Sequence, residues 1–182
     1  FPKVPVIIEK LFIKGNSIRS IPDDIIQLTH LQVFNFSHNL IKIVPKIPSV
    51  ILKVFGSFNR VVEFAPINAP NLTDCCLDNN DLSSMPPVID NKIIFYNMNH
   101  NHITDIKLNY ISPNVALIEL VDNEISNIPP EIFNLPYLEH LGLAHNKITQ
   151  IPQQIVNSKK LKKLNLSFNK IQAIPPLPPT LV

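Results

Sequence analysis

Residues 138–151 read LEHLGLAHNKITQI, and residues 161–174 read LKKLNLSFNKIQAI. The two stretches share the pattern L-x-x-L-x-L-x-x-N-x-I-x-x-I, in which apolar residues keep fixed distances from one asparagine. An internal repeat of this length indicates a solenoid, in which each unit packs on its neighbours. The fold therefore depends on how far the pattern extends along the chain.

The asparagine of this pattern recurs through the whole chain of 182 residues. Eight copies follow one another at intervals of 20 to 23 residues, at Asn16, Asn39, Asn59, Asn80, Asn101, Asn123, Asn146 and Asn169. At 8, 5 and 3 residues before each asparagine, and 2 and 5 residues after it, 39 of the 40 residues are apolar or aromatic, the exception being Gly56. A composition that is 45% hydrophobic would give about 18 matches by chance. The repeat therefore spans eight units.

The spacing predicts a short inner strand in each unit. Residues 5 and 3 positions before the asparagine alternate as on a β-strand and point into the core, whereas those 6, 4 and 2 positions before it point outward. Because one unit cannot bury its apolar row alone, the strands stack in parallel about 4.8 Å apart. The asparagine carries both donor and acceptor groups, so we expect it to satisfy backbone groups at the turn that leaves each strand.

Proline marks the turn that follows each strand. Six of the 18 prolines lie six residues after the asparagine of their unit: Pro22, Pro45, Pro86, Pro129, Pro152 and Pro175. Pro66 lies seven residues after Asn59. Proline fixes φ and ends hydrogen-bonded structure as the chain turns onto the outer face. Beyond it, residues 23–28, 131–135 and 153–156 are predicted to form helical or 3₁₀ turns. The shorter, proline-rich segments 45–48, 66–70 and 86–87 are predicted to be extended or polyproline II.

This pattern resembles the leucine-rich-repeat family along the full length of the chain. The resemblance implies an α/β leucine-rich-repeat solenoid of about eight repeats, with a parallel concave sheet and short helical, 3₁₀ or polyproline outer segments. The longer units resemble the I-P-x-x-I type of Ras-associated repeat proteins, Roco kinases and repeat-containing phosphatases, and the shorter ones look like the L-P-x-L-P type of bacterial effectors. Residues 1–182 are expected to be one leucine-rich-repeat domain taken from a longer array or multidomain protein, because residues 1–6 and 177–182 look like parts of further units.

The composition excludes several classes of function. The glycines Gly15, Gly56 and Gly142 are too far apart for a dinucleotide-binding or phosphate-binding loop. A net charge of +2 gives no argument for nucleic acid, no stretch is apolar for long enough to span a membrane, and the N-terminus has no signal-peptide pattern. Cys75 and Cys76 are adjacent, which is a poor geometry for a mutual disulfide, and they are too few for a zinc site. A reducing, cytoplasmic setting is the expectation.

The histidines and cysteines are not predicted to form a catalytic or metal site. His38, His100 and His145 share the column just before the asparagine, but two or three repeats separate them, about 10 to 15 Å, which is too far for a shared metal. Cys76 is predicted to point outward, where it is open to oxidation beside acidic residues that raise its pKa, and Cys75 to lie inert in the core. We therefore expect no enzyme activity, no metal and no cofactor.

Gly56 is the one irregularity in the core pattern. It stands at an inward position without a side chain, which predicts a void. We expect Phe55 or Phe58 to turn inward and fill it, with a local distortion of the third strand.

Function in such a solenoid rests on outward residues that the core does not use. On the concave sheet, apolar residues form two groups with charged residues beside them. The N-terminal patch is Phe12, Val33 and Phe55, beside Lys10, Lys14 and Lys53, and the central patch is Phe95, Leu117 and Val121, beside Asp74, Asp78, Glu119 and Asp122. Apolar patches with a charged rim are typical of protein-binding surfaces. The predicted partner-binding residues are Phe12, Val33, Phe55, Asp74, Asp78, Phe95, Leu117, Glu119 and Val121.

The sequence therefore predicts a non-catalytic protein-protein interaction module that binds another protein on its concave face, within an intracellular signalling or scaffold protein. Neither nucleic acid, a small-molecule ligand nor a membrane span is expected. Two alternatives stay open: a secreted or cell-surface ligand-binding ectodomain, and the recognition domain of a larger kinase, phosphatase or cyclase. Glycans on the sequons at Asn35, Asn71 and Asn165 would mark the first alternative.

Overall fold

The computed structural model describes residues 5–89 and 91–181, so the part of the predicted outer segment at 1–4 lies outside the described residues. Within these ranges the chain forms twelve short strands and four 3₁₀ turns. The strands are Lys10–Phe12 (β1), Val33–Asn35 (β2), Ile43–Val44 (β3), Lys53–Phe55 (β4), Glu63–Phe64 (β5), Ile67–Asn68 (β6), Asp74–Cys76 (β7), Val88–Ile89 (β8), Phe95–Asn97 (β9), Leu117–Glu119 (β10), His140–Gly142 (β11) and Lys163–Asn165 (β12). The 3₁₀ turns are Asp23–Gln27, Leu108–Tyr110, Pro130–Asn134 and Gln153–Asn157.

Eight of the strands form one parallel sheet, in the order β1-β2-β4-β7-β9-β10-β11-β12. Each strand has three residues, and its middle residue, such as Leu11, Phe34 or Ile118, points into the core. Neighbouring strands pair with equivalent residues side by side, as in the pair Ile118 and Leu141. The predicted solenoid with a parallel inner sheet is confirmed, and the constant register turns each repeat position into a straight column across the sheet.

One continuous apolar core runs through the described units. Leu31, Ile51 and Val115, each eight residues before its asparagine, are fully buried, as are the strand residues beside them. Each such side chain contributes about 1.5 to 3 kcal/mol by its burial. In the last unit Leu164 and Leu166 are only partly buried, because they pack against a single neighbouring unit.

The recurrent asparagine links adjacent units, as predicted. The Asn101 Nδ2 donates to the Leu77 carbonyl of the preceding unit at 3.0 Å and to the Met98 carbonyl of its own unit at 3.2 Å. Its Oδ1 accepts a hydrogen bond from the Leu82 backbone N–H at 3.0 Å. The same three contacts recur at Asn39, Asn59, Asn80, Asn146 and Asn169. A buried amide thus satisfies backbone groups of two units at once.

The residue before each asparagine adopts a left-handed backbone conformation. His38, His100 and His145 have φ values of 55°, 54° and 53° at this position. Histidine tolerates this conformation better than most side chains, which explains why three of the six histidines share one column. The rings of His38 and His145 stack on Phe58 and Phe168 of the following units, with centroids 4.5 and 4.2 Å apart. The histidine column therefore has a conformational cause and a packing role.

The outer segments follow the two predicted classes. Pro22, Pro129 and Pro152 precede the 3₁₀ turns in the longer units, with φ between −58° and −70°. Of the shorter segments, residues 66–70 contain the extended strand β6, as predicted, whereas residues 45–48 and 86–87 form neither a strand nor a helix. Strands in or next to these segments pair in parallel. β3 lies parallel to β5, and β6 lies parallel to β8, in two small sheets separate from the inner one. The 3₁₀ turn at Leu108–Tyr110 has no counterpart among the predicted turns.

The prediction for Gly56 is wrong in its details. The Phe36 ring of the preceding unit fills the space, and a Cβ built on Gly56 would collide with that ring and lie 3.0 Å from a Leu77 methyl carbon. Phe55 stays half-buried on the concave face, and Phe58 is 48% exposed. The third strand of the inner sheet, β4, is not distorted, because it pairs in regular register with β2 and β7. An oversized residue in one unit thus compensates for an absent side chain in the next.

Candidate partner-binding face

The nine predicted partner-binding residues all lie on the concave face of the inner sheet. The strand register places them in three columns, at 6, 4 and 2 residues before the asparagine of their units. The structure therefore brings them to one surface, as predicted, and the prediction that they bind a partner stays a prediction. They differ in exposure and in hydrogen bonding, which distinguishes the two patches.

The N-terminal patch is not one continuous apolar surface. Phe12 is 62% exposed, whereas Val33 and Phe55 are half-buried. Asn35 lies between Phe12 and Phe55 in the same column, so the two rings stand two strands apart, roughly 10 Å. The charged side chain of Lys53 is next to Val33 in the register.

Two residues of the central patch, Phe95 and Leu117, form a continuous apolar pair. Phe95 and Leu117 are direct partners in the register of β9 and β10, at the strand spacing of about 4.8 Å. Val121 lies on the same face, two residues after the end of β10, with Glu119 between it and Leu117. The side chains of Phe95, Leu117 and Val121 are all half-buried. Half-buried side chains of a sheet are held by their neighbours, so this patch offers apolar area at a low entropic cost for binding.

Two carboxylates on the concave face have basic side chains as partners within the chain. The Asp74 Oδ2 accepts a hydrogen bond from the Thr73 hydroxyl at 2.7 Å and lies 3.2 Å from the Lys53 Nζ. The Glu119 Oε1 lies 3.1 Å from the His140 Nε2. The carboxylate of Glu119 occupies the space where a Cβ on Gly142 would stand, so the glycine makes room for this pair.

The Asp78 carboxylate is held by neutral donors alone. The Ser57 hydroxyl and the Asn97 amide both donate to its Oδ1, the amide at 3.2 Å, and the Asn79 amide donates to its Oδ2 at 2.8 Å. Within residues 5–89 and 91–181, no Lys, Arg or His nitrogen lies within 4.0 Å of this carboxylate. Asp78 thus carries a fixed, half-buried negative charge without a counter-ion in the described chain.

These donors to Asp78 are the residues of the site that the sequence prediction missed. Ser57 precedes Asp78 by one strand and Asn97 follows it by one strand, both in outward columns. A usable signal was present, because equivalent repeat positions become neighbours in a sheet of constant register. The donors to Asp78 can therefore be found by comparing outward residues of neighbouring units, in addition to residues that are close in sequence.

The surroundings of Cys76 differ from the prediction in exposure and agree with it in the direction of the pKa shift. Its side chain is only 7% exposed, so the expectation that it is open to oxidation is wrong, because the larger neighbours in its row, Phe55 and Asn97, enclose it. Burial, together with the smaller effect of the negative charges of Asp78 and Asp74, raises the pKa of the Cys76 thiol to about 12. The predicted upward shift of the pKa by acidic residues is thus confirmed, although burial is the larger cause. Cys75 is fully buried, which raises its thiol pKa as well.

Both thiols are expected to be unreactive in the folded protein. At pH 8 a thiol with a pKa of about 12 is ionised in about one molecule in 10,000, against about one in four at the ordinary pKa of 8.5. Iodoacetamide should therefore alkylate Cys76 at least about 100-fold more slowly than free cysteine, and both thiols should react at the ordinary rate in guanidinium chloride. Mass spectrometry of timed samples measures this, and rapid native labelling of Cys76 would contradict the burial and the negative potential.

The described part of the chain contains no group of three or more His, Cys, Asp or Glu side chains with the geometry of a metal site. The shortest contact of a histidine with an acid, between His100 Nδ1 and Asp122 Oδ2 at 2.8 Å, lies on the exposed edge of the sheet. In the same described residues, no helix has the length and apolarity that crossing a membrane requires.

Comparison with known proteins points to the same architecture. The family model described as "Leucine rich repeat" matches residues 113–171. Osteomodulin from Bos taurus is 27% identical over 79% of this chain and 48% of its own length. "Leucine-rich repeats and immunoglobulin-like domains protein 3" from Homo sapiens is 28% identical over 72% of this chain and 12% of its own length. The chain therefore spans about half, or much less, of these relatives.

Solved structures resemble the fold over nearly its whole length. A chain in the octameric complex of Latrophilin 3, Unc5D and FLRT2 (LRR) superposes with a TM-score of 0.76 at 21% identity, covering 98% of this chain and 60% of that one. A Shigella effector LRR domain also gives 0.76, at 19% identity, covering 91% of this chain and 71% of that one. Together with the eight-stranded parallel sheet and the asparagine contacts between units, these likenesses establish that the chain has the leucine-rich-repeat fold.

Proposed function

We propose that this chain is a non-catalytic interaction module that binds a partner protein on its concave face. The observation that carries the proposal is the central patch, Phe95, Leu117 and Val121, which lies half-exposed on a rigid sheet next to fixed carboxylates. The core does not need these side chains, because the inward residues of the same strands, such as Ile118, form it. A pre-ordered apolar surface with polar groups in fixed positions is what a protein partner uses for burial and orientation.

We further propose that the module acts in the cytoplasm, within an intracellular signalling or scaffold protein. Cys75 and Cys76 support this setting, since both are free thiols and neither forms a disulfide. The likeness of the longer units to the I-P-x-x-I type supports it as well, because that type occurs in intracellular repeat proteins.

A secreted or cell-surface ectodomain is the second candidate, and the Asn71 sequon favours it. Asn71 is exposed at a turn outside the strands of the inner sheet, where its Oδ1 accepts a hydrogen bond from the Lys92 Nζ at 3.0 Å. Asn35 and Asn165 are half-buried on the concave face, where their Oδ1 atoms accept hydrogen bonds from the Ser37 and Ser167 N–H groups. Mass spectrometry of the natural protein separates the candidates, because a glycan on Asn71 would establish passage through the secretory pathway and exclude the cytoplasmic proposal.

The central patch is tested by the double substitution Phe95→Ser and Leu117→Ser. We expect it to reduce recovery of the partner in a quantitative pull-down at least about tenfold, because two anchor side chains of an interface typically carry several kcal/mol. The matched control is Ile26→Ser with Val156→Ser, which removes exposed apolar side chains from the outer 3₁₀ turns. Thermal melting followed by circular dichroism checks that both variants fold. Equal recovery by the two folded variants would contradict binding by the concave face.

A further inference from the structure

The concave face of the fourth to sixth units is acidic, although the chain as a whole is basic. The net charge of the chain is +2, yet between residues 61 and 146 only Lys92 and Lys107 are basic apart from histidine. Both lysines lie off the concave sheet, where Lys92 bonds to Asn71 and Lys107 lies 3.7 Å from Asp105. The concave columns of the same units hold three acids, Asp74, Asp78 and Glu119, and Asp122 follows at the edge of the sheet.

Asp78 is the one of these three concave acids without a Lys, Arg or His nitrogen within 4.0 Å in residues 5–89 and 91–181. Asp74 lies beside Lys53 and Glu119 beside His140, whereas Asp78 accepts hydrogen bonds from neutral side chains only. Neutral donors fix the direction of a carboxylate but leave its charge in place. A half-buried charge is poorly solvated, so an external cation at this position gains more Coulomb energy than at a fully hydrated surface acid.

The surroundings of Asp78 combine this charge with apolar surface. Phe55 stands one strand away on the side of the third unit, and Val121 stands two strands away on the side of the sixth unit, each within roughly 10 Å by strand spacing. The buried Cys76 forms a low floor beside Asp78, between Phe55 and Asn97. A cationic side chain of a partner can therefore approach the carboxylate while neighbouring partner residues contact the apolar side chains of Phe55 and Val121.

We propose that the partner is a basic, partly apolar protein segment, which places an Arg or Lys side chain on Asp78 and an apolar side chain on the central patch. This inference rests on the proposed function and specifies the chemistry of the partner. The cation compensates the Asp78 carboxylate, which has no basic side chain beside it in the described residues. The acidic surroundings steer positively charged segments toward this position and repel nucleic acid.

Selection from an unbiased library of random peptides displayed on phage tests the inference. The folded chain is the bait, and a parallel selection on the Phe95→Ser, Leu117→Ser variant identifies the peptides that need the concave face. We expect those peptides to carry net positive charge, with at least one Arg or Lys near a Leu, Ile or Phe. Their affinities, measured by fluorescence anisotropy on synthetic copies, should fall at least about tenfold with Asp78→Asn and fall when salt is raised from 50 to 300 mM.

The control variant is Asp105→Asn, which removes the same charge from an exposed acid outside the concave sheet. It should leave the affinities unchanged within about twofold. Peptides that depend on the concave face but are acidic or neutral, or that bind Asp78→Asn as tightly as the natural sequence, would overturn this inference and leave the proposed function standing. A library without any peptide that depends on the concave face would count against both.

Discussion

Gly56→Leu is expected to destabilise the protein by at least about 3 kcal/mol, although leucine is the residue that the repeat pattern favours at this position. The equivalent residues in later units are Leu120 and Leu143, both buried. At Gly56 even a Cβ collides with the Phe36 ring of the preceding unit, so three further carbons have no space. A substitution toward the consensus therefore overpacks the core.

The compensation between the two units predicts a large coupling energy. Phe36→Leu alone should cost about 1 to 2 kcal/mol, because it leaves a cavity over Gly56. Combined with Gly56→Leu it restores two leucines of ordinary volume, so the double variant should recover most of the loss, with a coupling of about 2 kcal/mol or more. Urea unfolding of the four proteins measures the cycle. Additive losses from the two substitutions would show that Phe36 does not occupy the space of the missing side chain.

Asn101→Ala is expected to cost about 2 to 4 kcal/mol in the free energy of unfolding. It leaves the buried Leu82 N–H without its side-chain partner, and the Leu77 and Met98 carbonyls each lose one of two amide donors. Asn80 still donates to the Leu77 carbonyl, and Asn123 still donates to the Met98 carbonyl. Each buried polar group that loses its partner costs about 1 to 3 kcal/mol. The loss also uncouples two adjacent units, so the slope of the urea transition is expected to fall as cooperativity weakens.

Asn16→Ala is the matched control for this substitution. Asn16 is exposed, and within residues 5–89 and 91–181 it donates only to carbonyls of its own unit, those of Ile13 and Lys14. The same change of side chain should therefore cost less than about 1 kcal/mol. Equal losses at Asn16 and Asn101 would mean that the cost arises from local turn propensity and not from contacts between units.

The sequence was sufficient to predict the fold because each unit repeats one local solution. The spacing around Asn101 or Asn146 specifies the strand, the turn and the inward residues of its unit, and the proline six residues later separates inner from outer segments. Stacking of equivalent units then leaves one simple arrangement, a parallel sheet in constant register. The pairing of β3 with β5 was less predictable, since it depends on the outer segments of two short units meeting in space.

The errors at Gly56 and Cys76 have a common physical origin. The pattern assigns each residue a direction, but it does not give the volume that neighbouring units place beside it. The Phe36 ring reaches across to Gly56, and Phe55 and Asn97 enclose Cys76 although it points outward. Exposure on a concave sheet therefore depends on the residues one strand away, which are about 20 positions distant in sequence.

The candidate site was predictable in position but not in its interactions. Equivalent outward positions necessarily lie on one face, so Phe95 and Leu117 become neighbours as soon as the register is constant. Side-chain rotamers decide which carboxylates find a cation, and the repeat pattern does not determine them. Asp74 reaches Lys53, whereas Asp78 turns toward Ser57 and its neutral donors.

The central claim, that a partner protein binds the concave face, is tested most directly by hydroxyl-radical footprinting of the complex recovered by pull-down. The oxidation rates of Phe95, Leu117 and Phe55 should fall at least about threefold in the complex, because a protein interface excludes water from side chains at its centre. Tyr137 and Val156, which are exposed outside the concave columns, should oxidise at the same rate with and without the partner. Protection of Tyr137 or Val156 with unchanged oxidation of Phe95 and Leu117 would contradict the claim.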